Sequence, residues 1–224
     1  MPDKHISTQF DNELDKINSH LLAMGGLVES QVAKTMKAFA TMDIELADEV
    51  LLLEKEVNAM VISTVNEALK PSARVVYLKE ISDQQFVFYT NYLSHKGKDL
   101  QQNPNASLLF FWPGLERQIR IEGTVNKISE TESDAYFASR PRESQLGAWA
   151  SHQSEPLKEM DEITQRYKRL DEQFAGVIPR PAHWGGMALR PTYIEFWQGQ
   201  PSRLHERVSF KLNEDVWQLS RLNP

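Results

Sequence analysis

The 224-residue chain contains no cysteine, which excludes disulfides and cysteine-ligated metals. No apolar run approaches the roughly 18 residues needed to span a bilayer. The opening MPDKHISTQFDNELDK is polar and acidic, and no apolar signal-peptide core follows it. Lys and Arg are not in excess either: the net charge is −6. Residues 1–58 hold 5 Lys and 11 Asp/Glu, leaving 20 of each sign for the rest of the chain. Neither part carries the basic excess of a nucleic-acid binder, so any anionic ligand must be held by local clusters. The motifs H-E-x-x-H, G-x-S-x-G, G-x-G-x-x-G and the P-loop are all missing, and the histidines show no metal-ligand spacing. The expectation is a cytoplasmic protein with no metal, no nucleic-acid partner and no membrane association. At 41% hydrophobic and 25% charged residues, it has the composition of a globular chain with a sizeable core.

Two periodicities divide the sequence. Phe10, Leu14, Ile17, Leu21, Met24 and Val28 recur every three or four residues, the spacing of one helix face. A second helix starts after Asp43, a capping residue, and carries Ile44, Ala47, Leu51 and Val57. Residues 1–58 therefore read as an α-helical hairpin. From Ala59 the pattern becomes one of short apolar or alternating runs: Ala59–Val65, Arg74–Lys79, Phe86–Thr90, Ala106–Phe111 and Gln118–Ile128. Helices are expected near Thr131–Ser139 and Met160–Phe174, and strands at Tyr193–Gln198, Val208–Leu212 and Val216–Arg221. Many short antiparallel strands with few helices predict a closed or partly closed barrel over 59–224.

Three clusters could carry chemistry. Arg74 and Lys79 are five apart, so on one strand they face opposite sides. Tyr136, Arg140 and Ser144 are each four apart and would stack phenol, guanidinium and hydroxyl on one helix face, although Pro141 must interrupt that helix or begin another. Arg203, His205 and Arg207 share one face of an extended chain, where three cations invite an anion. Each also has a plain reading, as solvated charges, a helix end or a structural histidine.

The residues go further than their spacing. AMVISTVNE, PSARVVYLK, FVFYTNYLSHKGKDL, NPNASLLFFW, LERQIRIEG, YFASRPRESQLGAWAS, IEFWQGQPSRLHER and the terminal RLNP closely resemble the pyridoxamine 5'-phosphate oxidase family. The resemblance implies a mainly β fold with α-helices: an FMN-binding split β-barrel over 59–224, forming a homodimer with FMN at the subunit interface. It implies oxidation of pyridoxamine 5'-phosphate or pyridoxine 5'-phosphate to pyridoxal 5'-phosphate, with O2 as acceptor and H2O2 as by-product. The FMN contacts it implies are Arg74, Val75, Lys79, Tyr89, Thr90, Lys96, Gln118, Gln153, Ser154, Trp197 and Arg207. Substrate would be held by Lys79, Tyr136, Arg140, Ser144, Arg203 and His205, with Arg203 and His205 as the catalytic pair.

Two departures stand out. Ser94-His95-Lys96 occupies the place where the family commonly has Ser-Arg-Lys, which weakens the expected grip on the flavin phosphate. Residues 5–58 resemble instead the opening helices of PhoU-type phosphate-signalling proteins, meeting the oxidase-like part at Val57-Asn58-Ala59-Met60. A weakly active or non-catalytic regulatory protein, binding flavin or pyridoxal phosphate and using the helices to contact a partner, is the alternative reading.

Overall fold

The structure, a computed structural model, describes residues 57–224. The expected hairpin lies almost wholly outside the described residues. The chain divides into two compact units, one comprising residues 60–110 and 120–192 and the other residues 57–59, 111–119 and 193–224 among those described.

The larger unit is built on antiparallel strands. β1 (Ala59–Val65) alternates between half-buried and buried positions, the period-two signature of one core-facing side. It pairs with β5 (Asn105–Trp112) so that Ile62 opposes Leu108, and both side chains are fully buried. β2 (Pro71–Tyr77), β3 (Glu80–Ser82) and β4 (Gln85–Asn91) follow β1 in the chain. β4 is apolar on both faces and pairs with the first part of β7 (Trp184–Gln198), matching Phe86 to Leu189 and Phe88 to Met187. With β6 (Arg117–Lys127), the strand order runs β2-β1-β5-β6-β7-β4-β3.

Four helices complete this unit. α1 (His95–Gln102) is capped by Ser94, whose hydroxyl accepts from the Gly97 amide. Gly97 sits against the backbone of Tyr92, where a Cβ would collide with the Tyr92 carbonyl. α2 (Glu130–Ser139) opens with a reciprocal capping box between Ser129 and Glu132. Pro141 ends it and caps α3 (Arg142–Ala150). α4 (Met160–Gln173) has no fully buried residue but presses Tyr167 and Leu170 onto a cluster of Phe137, Leu146, Ile178 and Trp184. None of these helices is long and apolar enough to cross a membrane.

In the smaller unit the last part of β7 pairs with β8 (Glu206–Asn213), and β8 with β9 (Val216–Arg221). Strands were expected at most of these places. β7 extends nine residues upstream of the expected start at Tyr193. Gly185 and Gly186 obscured that stretch, yet at Gly186 a Cβ would strike Ile128, so closeness of packing explains a strand glycine there.

Candidate functional site

A cleft of about 640 Å³ opens in the larger unit. Of the residues singled out in sequence, Val75, Lys79, Tyr89, Thr90, Lys96, Tyr136, Arg140, Ser144 and Gln153 line it. They come from β2, the β2–β3 turn, β4, α1, α2, α3 and neighbouring loops. Val75 and Gln153, 78 positions apart in sequence, thus meet at one surface, as only tertiary folding can arrange.

Arg74 and Lys96 form the first cationic group. Arg74, on β2, donates to Thr64 Oγ1 at 2.7 Å and Ser72 Oγ at 2.5 Å. The carboxylate of Asp99, on α1, lies 3.9 Å from Arg74 Nη2 and accepts from Thr64 at 2.6 Å. Lys96 is 7% exposed and among the described residues reaches only neutral partners, Ser94 Oγ and Gln153 Oε1, each at 3.3 Å. Burial first, and then the nearby Arg74 charge, push the Lys96 ammonium down to about 8. A buried ammonium with no carboxylate against it and a guanidinium near it is a site prepared for an anion. His95 is more than half exposed and stands 3.7 Å from Asp99.

The second group surrounds Arg140. α2 ends at Ser139 and α3 begins at Arg142, so Tyr136, Arg140 and Ser144 do not stack along one helix. They come from one helix, the linker and the next helix, and the turn at Pro141 brings all three to the cleft. The Arg140 guanidinium lies 4.5 Å above the Trp184 ring. Burial lowers its pKa, partly offset by the Tyr136 phenol. Tyr89 and Tyr136 stack at 3.7 Å between ring centroids, with Trp184 parallel beyond them. Burial, then the Glu80 carboxylate and the Tyr136 phenol, raise Tyr89 to about 12, so its hydroxyl remains a donor. Lys79 was expected on a strand face opposite Arg74, but β2 stops at Tyr77 and Lys79 projects from the turn, its ammonium 5.7 Å over the Tyr77 ring.

Among the described residues, two buried polar atoms at this cleft have no hydrogen-bond partner: Thr90 Oγ1 and Arg140 Nη1. Such orphans are rare in folded proteins and point to a missing ligand. Trp184, Asn91 and Asp99 went unnoticed in sequence. A lone aromatic, amide or acid carries no local signal; only Asp99's spacing of three from Lys96 and four from His95 marks it as sharing their helix.

Ser154 lies in the loop after α3 with φ 72°, beside Gln153. The remaining residues of interest belong to the smaller unit. Gln118 is half-buried on β6. Arg203, His205 and Arg207 do not share an extended face, because Ser202 and Arg203 adopt left-handed backbone angles, φ 59° and 61°, and β8 starts only at Glu206. The His205 ring packs on Trp197 at 4.7 Å and its Nδ1 accepts from the Gln200 amide at 3.2 Å. Arg207 is neutralised by the buried Glu195 at 2.7 Å and also donates to the Asn223 carbonyl at 2.9 Å. The mutual repulsion expected of three cations is therefore absent. Among the described residues no cluster of His, Asp or Glu is placed to hold a metal.

A family model described as "Pyridoxamine 5'-phosphate oxidase" matches residues 46–174, and one described as "Pyridoxine 5'-phosphate oxidase C-terminal dimerisation region" matches 184–224. The chain is 55% identical over 171 residues to the pyridoxine/pyridoxamine 5'-phosphate oxidase of Microcystis aeruginosa, covering 75% of this chain and 80% of the relative. It is 51% identical over 179 residues to pyridoxine/pyridoxamine 5'-phosphate oxidase 1 of Ralstonia nicotianae, covering 79% and 84%. Among solved structures, PhzG from Burkholderia lata 383, in complex with tetrahydrophenazine-1-carboxylic acid, superposes with a TM-score of 0.73 at 27% identity, covering 83% of this chain and 92% of that one. A pyridoxamine 5'-phosphate oxidase-related, FMN-binding protein from Nostoc punctiforme gives 0.61 at 18% identity, covering 75% and 89%. The expected split-barrel fold is the one these structures share.

Proposed function

The chain belongs to the pyridoxamine 5'-phosphate oxidase family, and from that premise we propose that it oxidises pyridoxamine 5'-phosphate or pyridoxine 5'-phosphate to pyridoxal 5'-phosphate, using FMN and O2. The observation that carries this reading is the presence, in one aromatic cleft, of two cations on different elements: Lys96, with the Arg74 charge near it, and Arg140 with its neighbours. A phosphorylated cofactor and a phosphorylated substrate need two such groups, and a single small anion needs one.

The residues present fit FMN. Among the described residues Lys96 is buried with no carboxylate against it, and Arg74 is already aimed by Thr64, Ser72 and Asp99, so a phosphate would give the buried ammonium an anionic partner. Thr90 Oγ1 has a hydrogen-bond position to spare, and Val75 and Gln153 border the same cleft. When bound, FMN would supply a two-electron acceptor, and O2 would take the electrons from the reduced flavin, being itself reduced to H2O2.

The chain's own residues bind and orient. Lys79, Tyr136, Arg140 and Ser144 are assigned to the substrate phosphate, because they offer an ammonium, a guanidinium and two hydroxyls from separate elements. The parallel rings of Tyr89, Tyr136 and Trp184 hold the walls of the cleft and exclude water beside Arg140. Fixing both phosphates sets the angle at which the C4' carbon is presented, and orientation of this kind supplies much of the acceleration when a cofactor does the redox step. With the amine substrate the balance is pyridoxamine 5'-phosphate plus O2 plus water, giving pyridoxal 5'-phosphate, ammonia and H2O2.

Arg203 and His205 are assigned to the substrate, and Gln118, Ser154, Trp197 and Arg207 to FMN, on the family pattern. The left-handed backbone at Ser202 and Arg203 supports a functional role, since such conformations cost free energy and persist where a site uses them. His205, held by Trp197 and the Gln200 amide, steadies that turn. Homodimerisation follows the family description of residues 184–224; FMN between the two copies and a cytoplasmic setting complete the reading.

The test is product stoichiometry. Purified protein given pyridoxamine 5'-phosphate in air should release pyridoxal 5'-phosphate and H2O2 in equal amounts. Flavin binding without either product would leave a binding protein, not an oxidase.

A further inference from the structure

Three of the substrate-phosphate donors assigned above, Tyr136, Arg140 and Ser144, come from three pieces of chain, and one side chain ties those pieces together. The last turn of a helix leaves carbonyls without partners, and a left-handed glycine commonly closes them. α2 has no such closure: Arg140 leaves it in an extended conformation, φ −75° and ψ 148°, and Pro141 follows at φ −53° and ψ 144° with no N–H to offer. The Arg140 N–H donates to the Phe137 carbonyl at 3.2 Å, and the side-chain amide of Gln145, in the first turns of α3, supplies the further donors. Its Nε2 lies 3.0 Å from the Phe137 carbonyl, 3.2 Å from Ala138 and 3.0 Å from Arg140. One planar group thereby joins the end of α2, the linker and the start of α3.

Those are the elements that carry Tyr136, Arg140 and Ser144 to the cleft. The aim of Arg140 depends on its own backbone, whose carbonyl Gln145 holds, and its Nη1 is buried without a partner. Arg142, two residues on, does different work: it grips Asp171 at 2.6 Å and the Phe174 carbonyl at 2.6 Å, fastening α3 to the end of α4.

We propose that Gln145 is a positioning residue for substrate-phosphate recognition, setting the spacing of Tyr136, Arg140 and Ser144 by bridging three carbonyls across the α2–α3 break. The proposal rests on reading that donor set as the phosphate site. It concerns donors and not shape, so a side chain of equal size without N–H groups cannot substitute.

The experiment is calorimetric titration of the flavin-loaded protein with pyridoxal 5'-phosphate and, separately, with pyridoxal. Gln145→Met keeps the volume and removes both donors; Gln145→Glu keeps the shape and turns a carboxylate toward the carbonyls. Each variant decides the matter alone. Either should weaken pyridoxal 5'-phosphate about tenfold, the equivalent of about 1.4 kcal/mol, and leave pyridoxal within about twofold. On an Arg140→Ala background the same change should cost less than about threefold, because the clamp acts through Arg140. Wild-type affinity in the Met variant, equal weakening of both ligands, or full additivity with Arg140→Ala would overturn the proposal while leaving the phosphate site standing. If the wild type binds pyridoxal 5'-phosphate no better than pyridoxal, the phosphate site itself is refuted and the proposal falls with it.

Discussion

Replacing Lys96 by Met should make the flavin-free protein more stable and the flavin complex weaker. The ammonium is 7% exposed, its hydrogen-bond partners are neutral, and it is held down to about 8 from an ordinary 10.5, mainly by burial. At roughly 1.36 kcal/mol per pH unit that displacement corresponds to about 3 kcal/mol of unfavourable charging. Water entry and relaxation reduce the realised figure to about 1–2 kcal/mol. The sign follows from proton counting. Below pH 8 the lysine is charged in both folded and unfolded chains, so the folded state carries the full penalty. Between pH 8 and 10.5 the unfolded chain binds more protons, so stability rises with pH. Met removes the charge at similar volume, and a domain of this size gains about 2–4 °C per kcal/mol. Thermal melts of stripped protein at pH 7 should therefore show Lys96→Met melting about 3–6 °C above wild type, with the gap narrowing toward pH 10. FMN titration should show the reverse, a loss of about 10- to 100-fold, as expected for one charge-assisted hydrogen bond to phosphate. A variant that melts lower and binds FMN normally would mean that Lys96 is a structural link between Ser94 and Gln153, and the anion-site argument would be wrong.

The same lysine sets a pH profile. FMN affinity should be flat between about pH 7 and 8, where the phosphate is a dianion, and fall up to about tenfold per pH unit above it, because the dianion favours the protonated lysine; a flat titration to pH 9.5 would contradict this. Arg203→Ala should lower turnover by an order of magnitude or more while flavin content stays near wild type, whereas Arg74→Ala should chiefly empty the protein of FMN; steady-state rates and the 450 nm absorbance of purified protein separate the two, and a reversed pattern would refute both roles. Gly97→Ala should destabilise by about 2 kcal/mol or more, since the added Cβ meets the Tyr92 carbonyl, and a melt unchanged within 1–2 °C would show that the α1–Tyr92 contact is looser than described.

What sequence could and could not reveal divides along physical lines. β1 and β9 were legible to the residue because a short alternating or apolar run bounded by breakers has few other uses. α1 was missed because HKGKDLQQ has a single apolar residue, Leu100, and a central glycine, so neither period nor propensity marks it. Tyr136, Arg140 and Ser144 were recognised as a set by their spacing of four, yet the spacing worked for a different reason: two helices meeting at Pro141 bring together what one helix would have stacked. The Arg203–Arg207 segment misled because alternation presumes an extended chain, and two left-handed residues break it. Arg207 moreover finds its counter-charge in Glu195, twelve residues upstream across a strand pair, a relation invisible to local pattern. Asp99 and Trp184 show the same limit, since what they do depends on Arg74 and Arg140, at a distance in sequence that no local periodicity reaches.

The central claim, that this cleft presents a phosphorylated B6 substrate to FMN, is tested most directly by an anaerobic absorption spectrum of the purified protein. A flavin band should bleach when pyridoxamine 5'-phosphate is added and return when oxygen is admitted, with pyridoxal 5'-phosphate appearing once per flavin. A flavin band that neither pyridoxamine 5'-phosphate nor pyridoxine 5'-phosphate bleaches would contradict it.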